Sequence, residues 1–189
     1  MSSDEEKEEE TNDNVHVMGT DIYYYGDVSS KSILEFNKAL KKLEITLLKR
    51  AADLEGYVPN INVRISSDGG DLFSGLNAMD ALKRSKVHVT TIVEGTCCSA
   101  ATFMLLGGDK RLMGKHSHVL IHQLSTGFFG KFEELREEMD TCKKLMKMMK
   151  RVYKAETQIP KDILKKFMKK DVYLDADECL KYQIVHGTV

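Results

Sequence analysis

The chain has 189 residues, of which 42% are hydrophobic and 30% charged, and its formal net charge is −1. This length suits one domain with a sizeable core, and no apolar run has the length of a membrane span or the pattern of a secretory signal. Residues 1–14 carry seven acidic side chains and one lysine, a net charge of −6, which leaves +5 for the rest. We therefore predict a disordered acidic tail over residues 1–18 and one folded domain over residues 19–189.

The four cysteines do not have the spacing of a metal site, because Cys97 and Cys98 are adjacent while Cys142 and Cys179 are isolated. Without a secretory signal, we expect reduced thiols and a cytoplasmic protein. Cys97 and Cys98 are interpreted as small packing residues. Nothing in the sequence resembles a phosphate-binding P-loop, so we predict no metal and no bound cofactor.

Strands and helices alternate along the chain, which predicts a layered α/β domain. A strand is expected at 22–25, followed by a long amphipathic helix that is capped by Ser29 or Ser30 and reaches about Leu54. The apolar positions of this helix are Ile33, Leu34, Phe36, Leu40, Leu43, Leu47 and Leu48. The later elements are predicted as a strand at 61–65, a helix at 72–82, a strand at 87–93, a helix at 101–106, strands at 111–113 and 118–122, and a helix from about 131 to 154.

A run of small residues at 95–101 joins the predicted strand at 87–93 to the helix at 101–106. A serine at such a turn, Ser99, has an exposed hydroxyl, and the first N–H groups of the helix point at whatever that hydroxyl attacks. A nucleophile beside oxyanion donors is what acyl transfer requires. The alternative interpretation is that the small residues merely permit a close turn.

Two further segments favour the chemical interpretation. The strand at 61–65 runs into Ser67-Asp68-Gly69-Gly70, and paired glycines let a ligand approach free backbone N–H groups. His122 ends the strand at 118–122, and an imidazole exchanges protons near neutral pH. Each feature alone has a structural interpretation, as a glycine turn or a surface histidine. Together with Ser99 they favour hydrolytic acyl transfer.

These motifs resemble those of the proteolytic subunit of the Clp protease, a self-compartmentalising serine peptidase. The resemblance runs from about residue 21 to the C-terminus. Four motifs in the family's order carry it: SDGG at 67–70, GTCCSAA at 95–101, VLIHQ at 119–123, and KDVYLDADE at 170–178 followed by YQIV at 182–185. The resemblance implies a ClpP/crotonase-like α/β fold, a layered β-α-β superhelix with a protruding strand–helix handle at about 124–157, in a divergent member of the family.

Carried over residue by residue, the resemblance implies a catalytic triad. Ser99 falls on the family's nucleophile, His122 on its general base, and Asp171 on the acid that orients the histidine. An aspartate in this role holds the tautomer of the imidazole and stabilises the imidazolium formed during attack. Without the resemblance, Asp171 could not be selected from the 29 acidic residues of the chain.

The resemblance also implies how substrate is bound and delivered. The oxyanion hole falls on the backbone N–H groups of Gly70 and Ala100, and substrate contacts fall on Gly69, Leu72 and Ser125. In the family, two seven-membered rings stack face to face into a tetradecamer that encloses the active sites. Polypeptide substrates reach the chamber from an ATP-driven AAA+ unfoldase.

The long helix predicted from about residue 131 carries an apolar stripe. Its members recur at three- and four-residue steps and are Leu135, Met139, Cys142, Leu145, Met146 and Met149. A core-facing helix is one interpretation, and the resemblance implies the family's handle, which interlocks with the opposing ring. The basic residues at 143–154 are balanced by glutamates at 133–138, so we predict a solvated helix face and no binding of nucleic acid.

The chain departs from the family beside the expected site. Asp68 stands where a proline usually precedes the diglycine, so the turn loses a rigid residue. Lys169 and Lys170 stand where the family often has an acidic residue beside an arginine, a pair that helps couple the rings to site geometry. We hypothesise that these lysines reach handle glutamates such as Glu134 or Glu137.

The expected docking strand departs further. The family carries aromatic side chains on the strand before the diglycine, where loops of the unfoldase dock, whereas this chain has Asn62 and Arg64 there. The family's N-terminal leader, with its axial loops and short first helix, is not evident. We therefore expect altered or partner-specific docking of the unfoldase. Divergence of this degree also suggests a phage-encoded or organellar copy as an alternative to an ordinary cytoplasmic one.

Three functions are compatible with these features of the sequence. The first is an active serine endopeptidase in a barrel fed by an unfoldase, which the complete triad favours. The second is a regulatory or non-catalytic subunit that joins another Clp protease ring, which the altered docking strand favours. The third is an acyl-CoA-processing enzyme of the crotonase type, which also uses paired N–H donors but needs no serine nucleophile at this turn.

Overall fold

The computed structural model describes residues 14–189. Eight strands and six helices follow one another in this part of the chain. They are β1 (Val15–Met18), β2 (Asp21–Tyr25), α1 (Ser30–Asp53), β3 (Asn60–Ser67), α2 (Leu72–Lys83), β4 (His88–Cys98), α3 (Ala101–Leu106), β5 (Lys110–Met113), β6 (His118–Leu120), α4 (Phe132–Glu156), α5 (Lys161–Phe167), β7 (Tyr173–Leu174), α6 (Ala176–Lys181) and β8 (Gly187–Thr188). The predicted α/β class is confirmed.

One sheet organises these elements, in the order β1-β2-β3-β4-β5-β8. β2 to β5 run parallel, with β8 parallel to β5 and β1 antiparallel to β2. β4 has 11 residues, so its first part, Thr90–Val93, pairs with β5 and its last part, Thr96–Cys98, pairs with β6. Because the last part of β4 pairs with β6, the ends of these two strands lie side by side. The predicted nucleophile, Ser99, directly follows β4 at this point.

The long first helix begins where its sequence predicts. Ser29 is the N-cap: its hydroxyl accepts the Ser32 N–H, and the Ser32 hydroxyl accepts the Ser29 N–H in return. Five of the seven predicted apolar positions are buried, but Leu34 is 53% exposed and Leu48 is half-buried. The prediction was too broad because Leu34 follows Ile33 by 100° around the helix, which turns it from the core.

β4 is longer than predicted and β6 is shorter. Residues 95–98, expected in the turn, belong to β4, because Cys97 pairs with Ser67 of β3 and with Val119 of β6. The turn itself contains only Ser99 and Ala100. β6 ends at residue 120, so His122 lies beyond the strand that was expected to hold it.

The N-terminal boundary of the domain was predicted four residues too late. Val15–Met18 form β1 and pair with Asp21–Tyr24 through a turn at Gly19, whose φ of 62° is the left-handed conformation that glycine adopts readily. This strand contradicts the predicted disorder at its end of the tail. The rest of that prediction falls on residues 1–13, outside the described residues.

The core lies between the sheet and helices α1, α2 and α3. Along β3, Ile61, Val63 and Ile65 are fully buried, whereas the alternate residues on the opposite face of the sheet are half-buried. The helices therefore cover one face of the β2–β4 sheet and leave the other face in partial contact with solvent. Within residues 14–189, no helix is both long and apolar enough to cross a membrane.

Candidate active site

Ser99 occupies a strained turn between β4 and α3. Its φ is 54°, a left-handed conformation that costs a non-glycine residue about 1–2 kcal/mol. The Ser99 N–H donates to the Leu120 carbonyl at 2.9 Å, so the neighbouring strand β6 holds the turn. The Ser99 carbonyl accepts the Thr102 N–H at 3.0 Å. The backbone thus presents the serine at the carboxyl end of the parallel strands, as the sequence predicts.

The first glycine of the diglycine packs directly under this turn. Gly69 has a φ of 101°, and a β-carbon added there would lie 2.6 Å from the Ser99 β-carbon. Its N–H donates to the Ser67 hydroxyl at 3.1 Å and its carbonyl accepts the Val28 N–H at 2.7 Å. Both polar groups of Gly69 are therefore used within the chain, and Gly69 is not among the residues that line the cavity described below.

The second glycine leaves a donor free. Gly70 has a φ of 145°, and a β-carbon there would lie 2.2 Å from the Val28 carbonyl oxygen. Its neighbour Asp71 donates to that carbonyl at 2.8 Å. The N–H groups of Gly70 and Ala100 have no acceptor among residues 14–189. Two unoccupied donors beside Ser99 are what an oxyanion hole requires.

His122 and Asp171 are brought together by β6 and β7. These strands are antiparallel, with Leu120 opposite Tyr173, and the same register continued by two residues puts His122 opposite Asp171. His122 Nδ1 lies 3.8 Å from Asp171 Oδ1, which is beyond hydrogen-bond distance. The side chains are 23% and 77% exposed. Within residues 14–189, His122 forms no hydrogen bond with either Ser99 or Asp171.

A cavity of about 320 Å³ opens over these residues. Of the predicted site residues, Ser99, His122, Gly70, Ala100, Leu72 and Ser125 line it. Other walls come from the start of α2, from α3, from the segment after His122, and from α4: Asp71, Phe73, Phe103, Gln123, Leu124, Thr126, Glu138, Thr141, Cys142, Leu145 and Met149. Four of the five residues predicted for the chemistry therefore line one cavity: Gly70, Ser99, Ala100 and His122. The fifth, Asp171, is not among the lining residues and approaches the site only through His122.

Helix α4 carries an apolar stripe that is buried at one end of the helix and exposed at the other. Its only buried residues are Met149 and Tyr153, near its C-terminal end. Toward the N-terminal end, Leu135 and Met139 are exposed, as are Phe129 and Phe132 beside them. Residues 124–131, expected to supply the strand of the handle, belong to neither a helix nor a strand in this single chain. The C-terminal half of α4 packs on the core, and the N-terminal half protrudes.

The two cysteines beside Ser99 are packing residues. Cys97 and Cys98 are buried and unpaired. Burial raises the pKa of the Cys97 thiol well above its ordinary value. Burial, together with the nearby charge of Asp68, raises the pKa of the Cys98 thiol from 9.0 to about 11. Neutral, enclosed thiols are poor nucleophiles, so neither competes with Ser99 for the chemistry.

Thiol alkylation of the folded protein is expected to modify Cys142 first. Cys142 is half-buried at the cavity wall, while the rise of the Cys98 pKa to about 11 lowers its thiolate fraction about 100-fold near neutral pH. The measurement is iodoacetamide modification followed over time by peptide mass spectrometry, with Cys142→Ser as the control. Modification of Cys97 or Cys98 at the rate found for the unfolded chain would contradict the enclosed site.

Asp68 adds a negative charge near the mouth of the site. Its side chain is exposed, and its Oδ1 accepts the Thr96 hydroxyl at 3.2 Å. The carboxylate is therefore held at the end of β4 by a hydrogen bond.

The expected docking strand carries a charged network. Arg64 Nε donates to Asp21 Oδ1 at 2.6 Å, and its Nη1 pairs with Glu94, which also accepts the Tyr25 hydroxyl. The guanidinium carbon lies 5.6 Å from the centre of the Tyr23 ring. Burial and the Glu94 carboxylate raise the pKa of Tyr25 to about 12. Arg64 is paired and stacked, so the expected docking strand presents a polar surface.

The proposed partners of Lys169 and Lys170 are not reached within one chain. Neither lysine pairs with Glu134 or Glu137 among the contacts of residues 14–189. Glu134 instead accepts the Lys131 N–H at 2.8 Å and caps the start of α4.

Sequence reasoning missed the residues that support the site from a distance. Val28 bridges to Gly70 and orients the diglycine, and Phe73 and Phe103 line the cavity. In the sequence these residues look like any other apolar residue, so no local pattern distinguishes them from ordinary core residues. Among residues 14–189, no group of three or more His, Cys, Asp or Glu side chains is placed to hold a metal ion.

Comparisons with known proteins agree with this geometry. Residues 33–189 match the family model described as Clp protease. An ATP-dependent Clp protease proteolytic subunit from Pleurastrum terricola is 34% identical over 125 residues, which are 65% of this chain and 64% of the relative. A protein of the same description from Deinococcus radiodurans is 31% identical over 139 residues, which are 72% of this chain and 68% of the relative.

A similar fold occurs in a solved structure. A single-residue mutant of ClpP1 from Listeria monocytogenes superposes with a TM-score of 0.74 at 22% sequence identity, covering 87% of this chain and 88% of that one. At this identity the likeness concerns the fold. The chain spans slightly less than two thirds of the Pleurastrum relative. The family model nevertheless covers most of the chain, and the chain therefore belongs to the Clp protease family.

Proposed function

We propose that this chain is a serine endopeptidase subunit of a self-compartmentalising barrel that cleaves unfolded polypeptides. One observation carries the proposal: Ser99 sits in a left-handed turn beside two free backbone donors, Gly70 and Ala100, in a cavity that also contains His122. A strained serine, an unoccupied oxyanion hole and a nearby imidazole are the parts of acyl transfer.

The proposed steps of peptide hydrolysis follow from the orientation of His122 and of the two free backbone N–H groups. Nδ1 of His122 faces Asp171, which leaves Nε2 to take the Ser99 proton as its oxygen bonds to the substrate carbonyl carbon. The resulting oxyanion accepts the N–H groups of Gly70 and Ala100. The C–N bond then breaks, His122 returns the proton to the leaving amine, and water hydrolyses the acyl-enzyme by the same steps. The gap of 3.8 Å between His122 and Asp171 closes by less than 1 Å to form the orienting hydrogen bond.

Assembly through the handle accounts for its exposed apolar residues. Phe129, Phe132 and Met139 are exposed. Met139 also lines a groove of about 680 Å³, together with Phe128 and Met146 among others. A single soluble chain rarely leaves such a surface uncovered. Its occupant in this proposal is a second copy of the chain from an opposing seven-membered ring, which makes a tetradecamer.

In this proposal a Clp-type AAA+ unfoldase delivers the substrate. We propose that it docks on the charged surface around Arg64, and not in an apolar pocket of the kind expected for the family. An apolar side chain of an unfoldase would gain little binding free energy on this surface, because it would cover the paired charges of Arg64, Asp21 and Glu94. The proposed docking surface is therefore polar, and a cognate unfoldase presents hydrogen-bonding or charged groups to it.

A second candidate is a regulatory subunit that joins the ring of another Clp protease. The separation of His122 from Asp171 and the 77% exposure of Asp171 favour it, because a resting site of this kind is not aligned for proton transfer. The two candidates differ in whether Ser99 becomes reactive in an assembled particle.

Fluorophosphonate labelling tests the proposal. The purified protein is expected to be labelled at Ser99 and to elute from gel filtration near 300 kDa, which is about fourteen copies of a 21.4 kDa chain. Ser99→Ala is the control for the labelled residue and is expected to elute at the same volume. Assembled particles without labelling would favour the regulatory subunit, and labelling that survives Ser99→Ala would overturn the assignment of the nucleophile.

A further inference from the structure

A directional chain of hydrogen bonds runs from the handle helix to the nucleophile's turn. The Thr102 hydroxyl lies 2.6 Å from the Ser99 carbonyl oxygen and 2.6 Å from the Tyr153 hydroxyl oxygen. A carbonyl oxygen cannot donate and a hydroxyl has one proton. Thr102 therefore donates to Ser99, and Tyr153 must donate to Thr102.

The chain is enclosed and comes from a distant part of the sequence. Thr102 and Tyr153 are each 1% exposed, and 51 residues separate them. The Tyr153 ring packs against Phe103 with centroids 5.3 Å apart. The Tyr153 carbonyl accepts the Thr157 hydroxyl at 2.6 Å, which anchors the last turn of α4. Burial raises the pKa of Tyr153 well above its ordinary value, so its hydroxyl keeps the proton that it donates.

The orientation of the Ser99 carbonyl sets the orientation of one donor of the proposed oxyanion hole. A peptide group is planar, and the Ser99 carbonyl belongs to the same peptide group as the Ala100 N–H. Fixing the direction of one therefore fixes the direction of the other. The carbonyl accepts both the Thr102 N–H at 3.0 Å and the Thr102 hydroxyl at 2.6 Å, and these bonds oppose the relaxation of the left-handed Ser99.

We propose that Tyr153 and Thr102 are positioning residues, which orient the Ser99–Ala100 peptide group and so aim the Ala100 N–H at the developing oxyanion. The proposal rests on the proposed peptidase function. A helical threonine that bonds to the carbonyl three residues earlier is common. The distinguishing feature here is the second bond, from a buried tyrosine of the handle helix, which fixes the rotamer and the proton of that threonine.

The test separates positioning from packing by removing both hydroxyl groups together. Thr102→Val leaves the Tyr153 hydroxyl buried without an acceptor, so it is expected to lower stability as well as activity. The double variant Thr102→Val/Tyr153→Phe removes both polar groups with little change of shape, so its unfolding midpoint in urea is expected to return close to that of the unmodified protein. Thr102→Ser retains the hydroxyl and serves as the conservative rescue.

Two readouts are measured on the assembled protein. The rate of fluorophosphonate labelling at Ser99, and kcat on a short peptide, are expected to fall about three- to tenfold in the double variant with KM unchanged, which is the range for one buried hydrogen bond. Thr102→Ser is expected to keep the original rate. Amide hydrogen exchange at Thr102, whose N–H bonds to the Ser99 carbonyl, is expected to accelerate by a similar factor.

The outcomes are separable. A double variant with recovered stability, the original labelling rate and unchanged exchange at Thr102 would show that the two hydroxyl groups only fill space and would overturn the proposal. If the unmodified protein is not labelled at Ser99, the proposed peptidase function fails, and the exchange measurement then decides whether the chain still holds the Ser99 turn. Faster exchange supports that role, and unchanged exchange contradicts it.

Discussion

Replacing His122 with alanine is expected to slow peptide hydrolysis and Ser99 labelling about 10³- to 10⁴-fold without changing the size of the assembled particle. His122 is the proposed acceptor of the Ser99 proton. Asp71 lines the same cavity, but the hydroxyl and backbone N–H groups of Ser74 and the α2 start lower the pKa of its carboxyl, so it is a poor substitute base. The measurement is the initial rate on a fluorogenic peptide.

Glu138→Gln is the matched control, because Glu138 also lines the cavity and lies on the exposed part of α4. We expect it to retain most of the activity. An equal loss in Glu138→Gln and His122→Ala would contradict the assignment of the general base and would point to the cavity as a whole.

Asp171→Asn is expected to cost less than His122→Ala. The carboxylate lies 3.8 Å from His122 and is 77% exposed, so solvent screens its hold on the imidazole. A loss as large as that of His122→Ala would show that the pair closes to a short hydrogen bond in the working particle. That result would also argue against the regulatory alternative.

Gly70→Ala is expected to impair both folding and chemistry. A β-carbon at this position would lie 2.2 Å from the Val28 carbonyl oxygen, and the φ of 145° is unfavourable for alanine. The backbone conformation alone costs about 1–3 kcal/mol of the free energy of unfolding. Displacing the Gly70 N–H removes one oxyanion donor, which costs about 10²- to 10³-fold in kcat. Urea unfolding and labelling of the folded fraction measure the two effects.

Gly127→Ala provides the control for glycine replacement. A β-carbon there would meet no atom within 4 Å, and its φ lies outside the left-handed region. We expect the stability and the labelling rate of this variant to match those of the unmodified protein. Activity in Gly70→Ala equal to that in Gly127→Ala would exclude the Gly70 N–H from the oxyanion hole.

Local signals predicted helices α1 to α4 and strands β2 to β6, whereas α5, α6, β1 and β8 were not predicted. The caps and the spacing of apolar residues located α1 within one residue at each end, and α3 was predicted at Ala101–Leu106, where it lies. These signals work because a cap or a helical period involves residues within a few positions of one another. The strand ends were less accurate, since β4 continues to Cys98 only because β3 and β6 supply partners there.

The residues of the candidate site also differ in whether a local pattern could identify them. Ser99, the diglycine and His122 were identifiable because each follows a recognisable strand. Asp171 was selected only through the resemblance to a family, and its position opposite His122 depends on the register between β6 and β7.

The sequence by itself determined which segments form the layered domain and which backbone turns can carry a nucleophile and free donors, because those properties depend on neighbouring residues. Only the tertiary structure decided that Val28 braces Gly70 and that Tyr153 reaches the Ser99 turn through Thr102. These contacts join residues that are 42 positions apart for Val28 and Gly70 and 51 positions apart for Thr102 and Tyr153. They arise from sheet register and helix packing, which no local pattern encodes.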